Sequence, residues 1–113
     1  MKEFLFLYRT DYAKMQHATK EDADAMLKKW MDWLGSIAAQ NKLTGKGERL
    51  HSTGKIVKAD NMVTNGPYTD IKESIGGYSF IKASSYDEAV EFAKNCPVLS
   101  TGGSVEIREI DAM

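Results

Sequence analysis

Five consecutive residues, Phe4-Leu5-Phe6-Leu7-Tyr8, form an unbroken apolar and aromatic run that polar residues follow on the C-terminal side. The length of the run and its aromatic content are typical of a β-strand. Because side chains alternate along a strand, Phe4, Phe6 and Tyr8 point to one face of the sheet, and Leu5 and Leu7 point to the other. Both faces of this strand are apolar, so we expect both to be covered.

A long amphipathic helix is predicted after this strand. Thr19, followed by Glu21 and Asp22, is typical of a helix N-terminus, where a hydroxyl caps free N–H groups and acidic residues favour the helix dipole. Apolar residues then recur at steps of three and four as far as Ala38, which predicts about 20 helical residues. The tryptophans of this helix are expected to pack in the core.

The rest of the chain is predicted to supply a hairpin, two strands and a second helix. Two short β-like pieces, 55–58 and 62–64, flank a turn at Asp60-Asn61, and a further strand is predicted at 78–82. Ser84 or Ser85 is expected to cap a helix over 87–95. The last strand, 104–110, alternates apolar residues on one face with Glu106 and Arg108 on the other.

This order of elements predicts an α+β fold with a ferredoxin-like split βαβ sheet and both helices on one face. A chain of 113 residues is expected to form a single domain over 1–113. Two helices cover one face of a sheet, which leaves the second face bare. We therefore expect this face to close against another copy of the chain, so that a homodimer forms an α/β barrel.

Composition narrows the classes of partner. Fifteen basic and 16 acidic side chains leave a net charge of −1, so neither nucleic acid nor a membrane is expected as a partner. The single cysteine, Cys96, cannot form an internal disulfide, and the N-terminal residues do not resemble a signal peptide, which favours a cytoplasmic protein. No pattern typical of a metal site, a nucleotide cofactor or a hydrolase nucleophile is found, so neither a metal nor a cofactor is predicted.

The candidate site residues are a histidine and several charged side chains. His51 lies near predicted β structure, and an imidazole is suited to act as a general base if the ring lines a cavity; otherwise it is a surface histidine. Glu106 and Arg108 share the predicted bare face, where they can bind a polar ligand or each other once a second copy covers them. Lys72 and Glu73 are further candidates for ligand binding, and they could equally form an exposed ion pair in a loop.

The segment from Asn65-Gly66-Pro67-Tyr68-Thr69-Asp70 to Glu73, continued by Ile75-Gly76-Gly77-Tyr78, resembles the YCII-related family, in the subgroup named for an Asp-Gly-Pro-Phe motif. Further likeness lies in 29–33, 47–51, 87–89, Cys96-Pro97 and 103–108, so the resemblance covers nearly the whole chain. It implies a ferredoxin-like α+β fold that dimerises into an α/β barrel.

The resemblance also implies small-molecule chemistry. Members of the wider family resemble dehydrochlorinases and lactone isomerases, for which a histidine and an aspartate in the barrel cavity are the proposed catalytic pair. In this chain Asn65 stands where the motif has its aspartate, and Tyr68 stands where it has phenylalanine. An asparagine cannot serve as a carboxylate base, so a structural role in the turn is favoured for Asn65.

Three hypotheses for function follow. In the first, a dimer cavity lined by Tyr8, Glu106, Arg108 and the loop from Asn65 through Tyr68 and Lys72 to Glu73 binds a small polar or anionic ligand. His51 then moves a proton in isomerase-type or lyase-type chemistry. In the second, implied by the resemblance, the chain is a non-catalytic regulatory module associated with alternative sigma factors. In the third, it is a dimer that has lost its chemistry.

Overall fold

The computed structural model of the chain describes residues 1–11, 19–66 and 74–111. These residues form six strands, two α-helices and one short 3-10 helix. In chain order they are β1 (Lys2–Thr10), α1 (Lys20–Ala39), β2 (Leu43–Gly45), β3 (Gly54–Val57), β4 (Val63–Gly66), β5 (Ser74–Ala83), α2 (Tyr86–Ala93), the 3-10 helix (Pro97–Thr101) and β6 (Ser104–Glu109).

The main sheet contains four antiparallel strands in the order β2-β5-β1-β6, and β3 pairs with β4 in a separate two-stranded ribbon. The two long central strands, β1 and β5, are therefore flanked by the two shorter edge strands. This confirms the predicted mixed α+β fold, in which each of two strand–helix–strand units contributes to one sheet.

Local capping sets where both helices begin. The hydroxyl of Thr19 accepts from the backbone N–H of Asp22 at 3.1 Å, and the Asp22 carboxylate accepts from the N–H of Thr19 at 3.3 Å. At α2 the cap is Ser85, whose hydroxyl accepts from the N–H of Glu88 at 3.3 Å. Ser84 instead donates its backbone N–H to the Glu88 carboxylate at 3.0 Å, so the structure selects Ser85 from the two predicted caps.

Both helices lie on one face of the sheet and bury the side chains of β1 that point toward them. Phe4 and Phe6 are fully buried and pack in one cluster with Trp33 and Ile37 of α1. The indole N–H of Trp33 donates to the carbonyl of Phe92 at 3.0 Å, which ties α1 to α2. The predicted core role is therefore confirmed for Trp33, and the half-buried Trp30 packs against this cluster.

The other face of the sheet, which we call the open face, is apolar at its centre. Leu5 and Leu7 of β1 lie opposite Phe80 and Tyr78 of β5, and all four side chains are half-buried. The shortest dimension of the backbone is 18 Å, the thickness of one helix layer on one sheet layer. No helix among residues 1–11, 19–66 and 74–111 covers this face.

Strand β5 is longer than the sequence predicts, because it begins at Ser74 and runs through Gly76 and Gly77. Glycine is disfavoured inside strands, but here a close backbone approach explains it: a Cβ on Gly77 would lie 2.9 Å from the carbonyl oxygen of Glu48. The register also shifts at this point, since Tyr8 pairs with Gly77 and Arg9 with Ile75. Strand β2 and the 3-10 helix were not predicted either.

Candidate functional site

Three charged side chains lie together on the open face, at the side of the sheet where β6 forms the edge. Both the Nε and one terminal nitrogen of Arg9 donate to Oε1 of Glu106, at 3.2 and 2.8 Å. The guanidinium of Arg108 donates to the other carboxylate oxygen of Glu106 at 3.4 Å. We call Arg9, Glu106 and Arg108 the charged cluster; its net charge is +1.

The members of the charged cluster differ in their contact with solvent. The side chain of Arg9 is 23% exposed and that of Glu106 is 35% exposed, whereas that of Arg108 is 69% exposed. The hydrogen bond from Arg9 is the main cause that lowers the pKa of Glu106, and the charges of Arg9 and Arg108 act in the same direction. Glu106 therefore stays ionised, and Arg108 is the cation most available to a bound molecule.

The charged cluster adjoins the apolar centre of the open face. Leu7 pairs with Glu106 and Leu5 pairs with Arg108 in the register of β1 and β6. On the far side of the leucines, the rings of Tyr78 and Phe80 stand edge to face with their centroids 5.8 Å apart. The open face thus presents an apolar and aromatic surface with charge along one side, an arrangement suited to small molecules that have a polar end.

His51 lies at the opposite side of the sheet. It follows Arg49, which bridges to Gly77 at the outer edge of β5. The ring is exposed, and its Nδ1 lies 3.0 Å from the hydroxyl of Thr53 and accepts from the backbone N–H of Thr53 at 3.3 Å. With Ser52 it borders a shallow surface depression of about 420 Å³.

The structure does not bring His51 and Arg108 together within one chain. The segment that carries Arg49 lies beside β5, and β5 is separated from β6 by β1. Neighbouring strands lie about 4.8 Å apart, so these two edges are about 14 Å apart across the sheet. His51 and Arg108 therefore lie on opposite edges of the sheet.

Tyr8 is not on the same surface as the charged cluster. Its side chain is 6% exposed and lies on the helix side of the sheet, where its ring stands edge to face with Trp30 at 4.7 Å. The strand alternation that places Glu106 on the open face puts Tyr8 on the opposite face. The prediction that Tyr8 lines a cavity with Glu106 and Arg108 therefore does not agree with the position of its side chain. Burial raises the pKa of the Tyr8 hydroxyl.

The predicted loop residues are divided between the hairpin and the part of the chain that is not described. Asn65 lies in β4, where its side-chain oxygen accepts from the ammonium group of Lys55 at 2.8 Å. This contact links the two strands of the ribbon, so Asn65 lies in a strand and not in the predicted turn. Tyr68, Lys72 and Glu73 lie outside the described residues.

Arg9 is the one member of the charged cluster that the sequence analysis missed. It lies two positions after Leu7, on the same face of β1, so strand alternation was the signal that could have identified it. The polar residues after Tyr8 suggested that the strand ended earlier than it does. The observed strand reaches Thr10, and Arg9 therefore remains on the sheet.

Other classes of site receive no support in the described part of the chain. Cys96 is 3% exposed, and burial raises the pKa of its thiol to about 12, which makes it a poor nucleophile. Among the described residues there is no group of three or more histidine, cysteine or acidic side chains that could hold a metal ion. None of the described helices has the length and apolarity that a membrane span needs.

A family model described as the YCII-related domain matches residues 4–113, which is almost the whole chain. The protein belongs to the YCII-related family. The match includes the strands that carry the open face and the charged cluster. The expected family membership is thereby confirmed at the level of the YCII-related domain.

This YCII-related chain is similar to a curated protein in sequence and to a solved structure in fold. An uncharacterized protein of Rhizobium meliloti (strain 1021) is 29% identical over 92 residues, which are 79% of this chain and 70% of that protein. A solved structure of 5-chloro-2-hydroxyhydroquinone dehydrochlorinase (TftG) from Burkholderia phenoliruptrix AC1100, in complex with 2,5-dihydroxybenzoquinone, is similar with a TM-score of 0.51 and 20% identity. The alignment covers 98% of this chain and 95% of TftG, so the two proteins share a fold.

Proposed function

We propose that this YCII-related protein is a homodimer that binds a small polar or anionic molecule between the open faces of its two sheets. The observation that carries the proposal is the open face itself. It presents half-buried leucine and aromatic side chains next to the charged cluster. A monomer would leave this apolar surface in water, whereas a second copy would bury it.

The proposed assembly is a dimeric α/β barrel. Packing of two such sheets face to face would give each apolar centre a matching apolar surface and would place the charged clusters at the sides of the shared interior. The segment from Asn65 to Glu73, with its likeness to the Asp-Gly-Pro-Phe motif, supports a place in that subgroup. Each chain has a net charge of only −1, so electrostatic repulsion between two copies is weak.

The ligand class follows from the charged cluster. Arg108 has the most exposed of the three charged side chains and can donate two parallel N–H bonds to a pair of acceptor oxygens, such as those of a carboxylate. The structural neighbour TftG was solved with 2,5-dihydroxybenzoquinone, a small ring compound with polar substituents. We infer that a compound of similar size and polarity fits this protein, with its ring against Tyr78 or Phe80 and its oxygen on Arg108.

Catalysis in this proposal is proton transfer of the isomerase or lyase type. His51 is the candidate base, because neutral imidazole accepts a proton near neutral pH. The base requires the tautomer in which Nδ1–H donates to the Thr53 hydroxyl, 3.0 Å away, because this leaves the lone pair of Nε2 free to take a proton from a substrate. In the other tautomer Nδ1 accepts from the Thr53 N–H, and Nε2 carries the proton and can only donate it. The edge position of His51 means that its contribution depends on the approach of a second copy.

Two measurements test the proposal. Sedimentation velocity should give about twice the chain mass of 12.6 kDa. Thermal melting with 2,5-dihydroxybenzoquinone should show stabilisation that rises with ligand concentration, and the Arg108→Ala variant should lose most of this shift. A matched control is Lys20→Ala, which removes an exposed cation from α1 and should keep the shift. A monomeric mass would refute the proposed assembly.

A second function is favoured by a different surface. Leu27 and Met31 lie one turn apart on α1 and are 61% and 60% exposed. Exposed apolar pairs on a helix are suited to contact with another protein, which agrees with a non-catalytic regulatory module that binds an alternative sigma factor. In this case the Leu27→Lys, Met31→Lys double variant should lose binding to a purified sigma factor from the same genome and should keep the dimer.

A further inference from the structure

The charged cluster lies at one side of the open face, and the acidic residue Glu48 lies at the other. The basic neighbour Arg49 pairs with Gly77, and strand alternation therefore places it on the helix face. On the side of β6 the charged cluster has a net charge of +1. On the other side the backbone of Glu48 accepts from the N–H of Tyr78 at 3.2 Å, next to the bridge between Arg49 and Gly77. This antiparallel register puts Glu48 opposite Tyr78, and therefore on the open face.

Glu48 and Arg108 both keep hydrogen-bonding capacity that the described part of their own chain does not use. Glu48 is exposed and forms no ion pair with the rest of the described chain. Arg108 directs one terminal nitrogen at Glu106, at the long distance of 3.4 Å, although a guanidinium has five N–H donors. Because Glu48 and Arg108 lie on opposite edges of the sheet, about 14 Å apart, they cannot pair within one chain.

A two-fold axis gives these edges two ways to meet when two open faces pack together. If the axis runs parallel to the strands, each β6 edge lies over the 45–50 edge of the other copy. If the axis runs across the strands, each β6 edge lies over its own equivalent. Only the first arrangement brings Arg108 of one copy to Glu48 of the other, and it does so twice.

Resting on the proposed homodimer, we infer that Glu48 of each copy pairs with the partner's Arg108, and that the dimer axis therefore runs parallel to the strands. Glu48 is level with Tyr78 along the strands, and Arg108 is level with Phe80, because both pair with Leu5. The two positions are therefore offset along the strands by two residues, or about 7 Å, which an arginine side chain spans. The antiparallel alternation of the strands continues across this junction, since β2 and β6 run in opposite directions.

The inference makes the proposed ligand site a composite of two chains. Arg108 would hold the partner's Glu48 with one side of its guanidinium and keep its remaining N–H donors for a ligand. The site would then contain a guanidinium from one copy and a carboxylate from the other. A molecule with an acidic oxygen and a hydroxyl group can contact both, so hydroxylated organic anions are the favoured class.

Reversal of the two charges, singly and together, tests the pair. Glu48→Arg would place two arginines at each junction and Arg108→Glu two glutamates, so each single variant should raise the dimer dissociation constant at least about tenfold in sedimentation velocity. The double variant Glu48→Arg, Arg108→Glu restores opposite charges and should recover most of the wild-type value. Asp24→Arg and Lys20→Glu, on the exposed surface of α1, are matched controls that should leave the dissociation constant unchanged.

The ion pair between Glu48 and Arg108 and the homodimer itself are tested by different outcomes. Recovery in the double variant supports the pair, because the two positions are too distant to interact within one chain. The inference is overturned if Glu48→Arg dimerises like the wild type, or if the double variant is as weak as Arg108→Glu alone. Leu7→Lys, at the centre of the open face, should dissociate the dimer in either case. A wild-type chain that is monomeric overturns the proposed homodimer itself.

Discussion

Two glycine-to-alanine substitutions are expected to change stability in opposite directions. Gly47 has φ of +71°, a left-handed conformation, and a Cβ there would overlap the carbonyl oxygen of Tyr78. Gly35 lies inside α1, where an added Cβ would have no neighbouring atom within 4 Å among the described residues. The same chemical change is therefore forbidden by geometry at one site and favoured by helix propensity at the other.

The magnitudes follow from these surroundings. At Gly47 the left-handed backbone costs an L-residue about 1–2 kcal/mol. Displacement of Tyr78 also breaks its 3.2 Å hydrogen bond to Glu48, worth about 1 kcal/mol. Gly47→Ala should therefore lower the free energy of unfolding by about 2–3 kcal/mol. Gly35→Ala should raise it by about 0.5–1 kcal/mol, since alanine is the better helix former.

Urea unfolding, followed by tryptophan fluorescence at one fixed protein concentration, measures both changes. The free energies of unfolding of the two variants should differ by about 3 kcal/mol, with the wild type between them. A Gly47→Ala variant within about 0.5 kcal/mol of the wild type would show that the segment beside β5 adapts to a side chain. That result would also remove the support for placing Glu48 opposite Tyr78.

Three further predictions concern titratable groups. Because Arg9 lowers the pKa of Glu106, the ionised carboxylate stabilises the fold at neutral pH. This stabilisation is lost as the pH falls below about 4.5 and through the lower pKa of the folded state, so Glu106→Gln should flatten the acid dependence of the free energy of unfolding in urea. Tyr8→Phe should stabilise the protein by up to about 1 kcal/mol, since the buried hydroxyl has a polar contact with Ser79 but makes no hydrogen bond of good geometry among the described residues; a clear loss in thermal melting would contradict this. Cys96, with its thiol pKa raised to about 12, should react with a disulfide reagent at pH 8 only in denaturant, and fast reaction in buffer would refute its burial.

Much of the fold was predictable because its signals are local. The alternation in β1, the cap at Thr19 and the spacing of apolar residues in α1 each act within a few residues of the chain. The start of β5 was not predictable, because Gly76 and Gly77 have no strand preference of their own. They belong to the sheet because the backbone of Glu48 approaches closely there, and this contact spans about 30 positions of the chain.

The candidate site was predictable only in part. Alternation in the last strand placed Glu106 and Arg108 on one face, and the structure agrees. The same rule, applied to Tyr8, indicated the helix face, and the burial of its ring beside Trp30 confirms that orientation. The predicted cavity that contains both Tyr8 and Arg108 is therefore inconsistent with strand alternation. Arg9 was missed because the end of β1 was placed before it.

Patterns within single elements were enough to establish an α+β chain with one buried and one open sheet face, because the periodicity of side chains is a local property. The strand order settled the rest. It places Arg9 beside Glu106, and it separates His51 and Glu48 from Arg108 by the width of the sheet. Contacts between positions nearly 100 residues apart depend on how distant segments pair, which periodicity does not encode.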